Sequence, residues 1–320
     1  MNKILHANKF NFSNIKPSSW MIVSAILVSF QALFFNTLDS IMAAPSIMLT
    51  RYIIPCMLLW TFYLIKPHPL WKTKDTFILI VRACCITISQ CCLCIYLTKA
   101  SLLNATTLYL TSPIWTPIIN AIIQKNNVKP ISLALATLGF IGVCVLQQNT
   151  PDQVNRYLLI GVGSGLFNSI SQIANHKASQ SMTIRANTLG TYSYTVLTGI
   201  FAFCILHNII QNHHSGTYSA STHNIIGILI ALAIIGILNQ TCRSRAYSLV
   251  TDTTNITTLL YLSIPVSAII GYIHFEQHIN LCSVAGSCLI LISCYISTRL
   301  EKTESGLNTD HFIKQPYVFY

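Results

Sequence analysis

The chain is a succession of apolar stretches, each about as long as a helix that crosses lipid, separated by short polar gaps. Roughly 20 apolar residues cross the hydrocarbon core of a bilayer. Such stretches cover residues 20–38, 43–65, 76–97, 101–123, 131–148, 157–175, 188–208, 223–242, 253–273 and 281–299. Backbone groups in lipid are satisfied only by helices or closed barrels. Stretches of this length therefore predict an all-α membrane protein with ten transmembrane helices. Composition agrees: 8% of residues are charged and 52% are hydrophobic. A soluble domain carries about 25% charged residues. The net charge of +11 does not point to nucleic acid, because the cations sit in the short gaps. There the membrane lipid of the cytoplasmic leaflet is the better partner.

The cations also alternate in density from gap to gap. Lys3, Lys9 and Lys16 precede the first stretch. Lys66, Lys72 and Lys74, then Lys125 and Lys129, Lys177 and Arg185, Arg243 and Arg245, and finally Arg299, Lys302 and Lys314 follow in every second gap. The intervening gaps hold only Lys99 and Arg156. One side thus carries 15 cations and the other 2. Cytoplasmic loops carry the excess of Lys and Arg, so both termini are expected in the cytoplasm, with tails over 1–19 and 301–320. The apolar run after the N-terminal lysines is too long for a cleaved leader and is read as a retained span.

The halves 20–148 and 157–300 resemble each other. Pro113 stands in LTSPIWTPIINAII and Pro265 in LSIPVSAIIGYIHFE, 152 positions apart. Five stretches separate the repeats, an odd number, so the second half enters from the opposite face. The charge bias of each first-half gap is opposite to that of its second-half counterpart, as inverted repeats require. Folds of that kind are mostly transporters with a site at the midplane.

These features are similar to the EamA-like, ten-span branch of the drug/metabolite transporter superfamily. The resemblance rests on Arg51 in LTRYIIP, Arg82 in LIVRACC, the prolines of the fourth and ninth stretches, and Glu276 in GYIHFEQ. Gln124 and Ser293 stand where the pattern expects an acid and a glycine. The resemblance implies a carrier of a small polar metabolite. S-adenosylmethionine or a nucleotide-like metabolite is the alternative cargo that it suggests.

Ionisable groups at membrane depth are costly and face a cavity or a partner. Arg51 lies about 12 Å inside its stretch and Arg82 about 9 Å, at 1.5 Å per residue. Either could clamp a carboxylate or phosphate, or bond structurally to backbone carbonyls or to Asp39. Gln31, Gln90, Tyr109, Asn168, Gln172 and Tyr261 are the polar and aromatic residues within stretches that could also touch substrate. Interhelical bonding and core packing are the plainer reading of each. Gln31 is expected to face Asn168 and Gln172. Pro113 and Pro265 each remove a backbone donor near mid-stretch. They are the expected gating kinks.

No cofactor, metal or catalytic role is expected. Cys91, Cys92 and Cys94 with Cys84 and Cys85 read as small packing residues. His274, Glu276 and His278 read as polar loop residues. No HExxH, GxSxG, Walker A or GxGxxG pattern occurs. A membrane enzyme would need a reactive cluster at one face. A non-transporting scaffold or sensor is the remaining reading of another class. The plain short loops suit a bacterial inner membrane. Nothing in the sequence sets an oligomeric state, the direction of transport or a coupling ion.

Overall fold

The computed structural model describes residues 15–39, 44–97, 102–125, 129–147, 157–210, 222–275 and 281–312. Glu276, most of the two gap segments 148–156 and 211–221, and the outer parts of both tails lie outside the described residues. Every regular element among them is helical. The elements are α1 (Pro17–Asp39), α2 (Ala44–Ile65), α3 (Thr73–Leu97), α4 (Leu102–Tyr109), α5 (Ser112–Gln124), α6 (Pro130–Gln147), α7 (Leu158–Ser181) and α8 (Ile184–Ile210). There follow α9 (Thr222–Ser248), α10 (Thr254–Thr257), a 3-10 segment (Thr258–Leu262), α11 (Ser263–Phe275) and α12 (Leu281–Phe312).

Five helices carry stretches long and apolar enough to cross a membrane: Pro17–Phe34, Ser46–Ile65, Thr73–Tyr96, Ile225–Ser248 and Leu281–Leu300. Their outward faces hold large exposed apolar side chains such as Leu64, Phe77 and Tyr295. A water-exposed surface would not retain so many. α7 is as long but far more polar. Its buried face is Gly161, Ser164, Gly165, Asn168, Ser169, Ser171 and Gln172, so it runs through the protein interior, where neighbouring helices supply hydrogen-bond partners.

Two expectations change. The fourth stretch is interrupted by a turn at 110–111, and the ninth tightens into a 3-10 segment over Thr258–Leu262. Pro113 lies in the first turn of α5 and Pro265 near the start of α11. A proline fits a first helical turn because its missing N–H has no intrahelical partner there. Each irregular segment is held by side chains: Thr111 Oγ1 donates to Leu108 O at 2.7 Å, and Ser29 Oγ donates to Ser263 O at 2.7 Å. The polar segment after Leu300 also differs, since α12 continues through it to Phe312.

Packing is mainly between the first and second halves of the chain. α3 lies along α7, α6 along α12, α1 along α9, and α2 along α8. Glycines bring α6 and α12 into backbone contact. A Cβ at Gly142 would sit 2.9 Å from Gly286 O, and one at Gly286 would sit 2.6 Å from Gly142 O. Small residues permit this approach, which supplies dispersion and packing energy where lipid offers no hydrophobic drive. All twelve cysteines are free.

Candidate functional site

The long helices bring polar side chains to a common centre. There α1, α2, α3, α4, α7, α8 and α9 line a polar cavity whose empty space, open solvent included, is ≈ 640 Å³. Gln31 comes from α1, Arg51 and Tyr52 from α2, and Arg82 and Gln90 from α3. Tyr109 sits at the end of α4, just before the turn. Asn168 and Gln172 come from α7, Thr191 and Tyr192 from α8, and Asn239, Gln240 and Arg243 from α9. Seven of the eight residues read from the sequence as substrate-binding therefore share one chamber.

Arg82 is 2% exposed. Its Nη1 donates to Asn187 Oδ1 at 2.8 Å and to Thr191 Oγ1 at 2.6 Å. Its Nε is buried with no partner. Asn187 is itself fixed, its amide donating to Asn175 Oδ1 at 3.0 Å and to Ser179 Oγ at 2.9 Å. The guanidinium is thus positioned by neutral groups from α7 and α8. Arg51 lies with its guanidinium carbon 6.0 Å from the ring centroid of Tyr52. The Tyr52 and Tyr192 rings are 6.2 Å apart between centroids.

Gln31 accepts from Asn239 Nδ2 at 3.1 Å, and Ser24 Oγ donates to Asn239 Oδ1 at 2.6 Å. Arg243 Nε donates to Ser24 Oγ at 3.3 Å. Across the chamber Gln172 Nε2 donates to Asn168 Oδ1 at 3.3 Å, and Asn168 Nδ2 to Ser112 Oγ at 3.1 Å. Gln31 therefore pairs with Asn239 rather than with Asn168 or Gln172, because α1 runs along α9. Gly236 makes this possible: a Cβ there would stand 3.0 Å from Gln31 Nε2 and 3.2 Å from the Tyr192 hydroxyl.

Tyr261 does not join the chamber. Its side chain is fully buried in an apolar core with Val143, Tyr247 and Ile290. Gly139 leaves the room its ring fills, since a Cβ there would lie 2.6 Å from Tyr261 Cδ2. Pro113 and Pro265 are buried beside the two irregular segments rather than at the cavity wall. The chamber also holds residues that the sequence reading did not single out as ligands, above all Arg243. α9 extends to Ser248, more than a turn past the apolar stretch that ends at 242. A residue counted as loop charge therefore lies on a helix facing the cavity. Its spacing of four from Asn239 was the available signal.

At the lysine-rich end a second polar group joins α5, α10 and the segment just ahead of α6. Lys129 Nζ meets Asp252 Oδ2 at 3.1 Å. Asn120 Nδ2 donates to Asp252 Oδ1 at 3.0 Å and to Thr253 Oγ1 at 2.8 Å. Asp252 also accepts from the Thr254 hydroxyl at 2.6 Å and from the Thr254 N–H at 3.0 Å. Burial pushes its carboxyl upward, but the bonds from Thr254 and Lys129 outweigh this and hold it below the ordinary carboxylate value.

Known proteins bear on what such a chamber belongs to. Residues 16–148 match the model of the EamA-like transporter family. That match bears out the resemblance to the drug/metabolite transporter superfamily. A protein known from its crystal structure shares the fold, with a TM-score of 0.69 over 90% of this chain and 99% of that one at 14% identity. No curated protein matches the chain.

Proposed function

We propose that the protein is a secondary transporter that moves a small polar metabolite across a bacterial inner membrane by alternating access. The mode is exchange or facilitated transport. The observation that carries this reading is the arginine-bearing chamber, built from both halves of the chain and enclosed by apolar helices. Ten crossings and two inverted five-helix repeats complete the proposal. The pairing of helices supports it. An inverted repeat exchanges α1 with α7 and α3 with α9, and the two packings α1 on α9 and α3 on α7 are exchanged by that operation. α2 on α8 and α6 on α12 map onto themselves. The two irregular elements, α4–α5 and α10–α11, fall at equivalent places in the halves. Rocking of one bundle on the other would then open the chamber to each side in turn.

The substrate carries an anionic group held by Arg51 and Arg82. Removing one charged hydrogen-bond partner costs about 1.5–3 kcal/mol, or roughly 10- to 100-fold. Arg51→Ala in proteoliposomes is therefore expected to lose at least tenfold in counterflow across a panel of carboxylate and phosphate metabolites. Undiminished counterflow in that variant would remove the clamp. A non-transporting scaffold or sensor would show no counterflow in the wild type either.

A further inference from the structure

The chamber is more strongly charged than the sequence suggests. Arg51, Arg82 and Arg243 all line it, and among the described residues no Asp or Glu does. Among the described residues none of the three guanidinium groups has a carboxylate within ion-pair distance. Asp252 is engaged with Lys129 at the lysine-rich end, and the whole chain has only 8 acidic residues. The cations also converge. Arg51, Arg82 and Arg243 come from three different helices, α2, α3 and α9, yet line the same cavity together with Tyr192. Two of them are held from behind by neutral groups, Arg82 by Asn187 and Thr191 and Arg243 by Ser24. Arg82, 2% exposed, has a buried Nε with no acceptor.

A cation at membrane depth is retained when something compensates it. Here the described residues supply hydrogen-bond acceptors but no opposing charge. A ligand with one carboxylate would leave two cations uncompensated. We infer that the chamber selects a substrate with at least two negative charges: a dicarboxylate, or a phosphate ester of a small polar metabolite. This rests on the transporter reading above and narrows its substrate class. Tyr52, Tyr192 and Tyr109 leave room for a planar group beside the charges, while the amides of Gln31, Asn239 and Gln172 suit its polar edges. A substrate of net positive charge, such as S-adenosylmethionine, meets an electrostatic penalty from the same three arginines.

The sign and size of this selection can be measured on the full chain in detergent, separately from transport. The probes are a matched set: succinate, succinamate and succinamide, which carry two, one and no negative charges, together with 3-phosphoglycerate, glycerate and S-adenosylmethionine. Thermal stabilisation is titrated for each. Unit charges a few ångströms apart in a partly screened site differ by at least tenfold in affinity, so succinate should bind roughly tenfold or more tightly than succinamate, and 3-phosphoglycerate than glycerate. Arg243→Gln should narrow these ratios, weakening succinate and 3-phosphoglycerate more than succinamate and glycerate. Equal binding of succinamide and succinate, preference for S-adenosylmethionine, or absence of stabilisation by both dianions at millimolar concentration overturns the inference. Dianion binding without any counterflow would instead sink the transporter reading and leave the charge selection standing.

Discussion

Arg82→Gln is expected to abolish measurable transport while leaving most of the folded protein intact. The glutamine amide can still donate towards Asn187 Oδ1 or Thr191 Oγ1, so the polar contacts between α3 and α8 survive in part. The positive charge does not survive. In a chamber whose described lining has no acid, that charge is one of three that attract an anion, and the most deeply buried of them. The loss should be roughly 100-fold in counterflow, the upper range for a charged hydrogen bond made in a dehydrated site. Arg82→Lys should recover only part of it, because an ammonium is a compact point charge without the planar fork that reaches two acceptors. The thermal midpoint in detergent separates binding from folding. Counterflow at wild-type level in a folded Arg82→Gln protein would show that the guanidinium serves only as an interhelical bond.

Much of the fold was legible because membrane helices write themselves in length and apolarity. The apolar stretches and the helices coincide, and Arg51 and Arg82 stood out because an ionisable residue inside such a stretch has few reasons to be there. The irregular segments before Pro113 and Pro265 were less legible. A proline inside an apolar run predicts a kink, and the turn at 110–111 and the 3-10 segment over Thr258–Leu262 are not written in the apolar pattern. Tyr261 illustrates the limit of periodicity. It occupies the same position relative to Pro265 that Tyr109 occupies relative to Pro113, yet one ring faces the chamber and the other fills the space over Gly139. α7 was legible as a helix but not as the polar spine of the site, because its serines and amides gain meaning only from the helices around them. Arg243 was misplaced by one helical turn, the usual uncertainty at a helix end.

Asp252→Ala is expected to release a latch at the lysine-rich end. The carboxylate joins α10 to Asn120 of α5 and to Lys129 just ahead of α6. In the proposed repeat these belong to opposite halves, so separation of the halves on that side must break them. The Lys129 pair contributes little, since its side chain is 45% exposed and exposed pairs are worth about 0–1 kcal/mol. The bonds from Asn120 and Thr254 matter more. Asn120 Nδ2 keeps Thr253 Oγ1 as an acceptor, but the Thr254 N–H and hydroxyl lose theirs, at a cost of about 1–3 kcal/mol that shifts the open-to-closed ratio roughly 5- to 150-fold. The linkage has a definite sign. A carboxylate whose value is lowered in the closed form stabilises that form above the ordinary carboxylate range, and the stabilisation fades as pH falls through the lowered value. Closure should therefore be insensitive to pH between about 5 and 8, and weaken only below about pH 4. Asp252→Asn should behave as an intermediate, keeping an acceptor but not the charge. Cytoplasmic access in Asp252→Ala equal to wild type would rule out a latch at this position.

Two-sided labelling of the chamber tests the alternation most directly. Asn168→Cys, in a background where the twelve free native cysteines are replaced by alanine or serine, places one thiol in the chamber wall. In oriented vesicles, a membrane-impermeant maleimide added from either side should reach that thiol. Substrate should protect it from both sides, and Asp252→Ala should raise the rate from the cytoplasmic face alone. Labelling from one face only, under every substrate condition and in the variant as well, would contradict a chamber shared by two halves of opposite orientation.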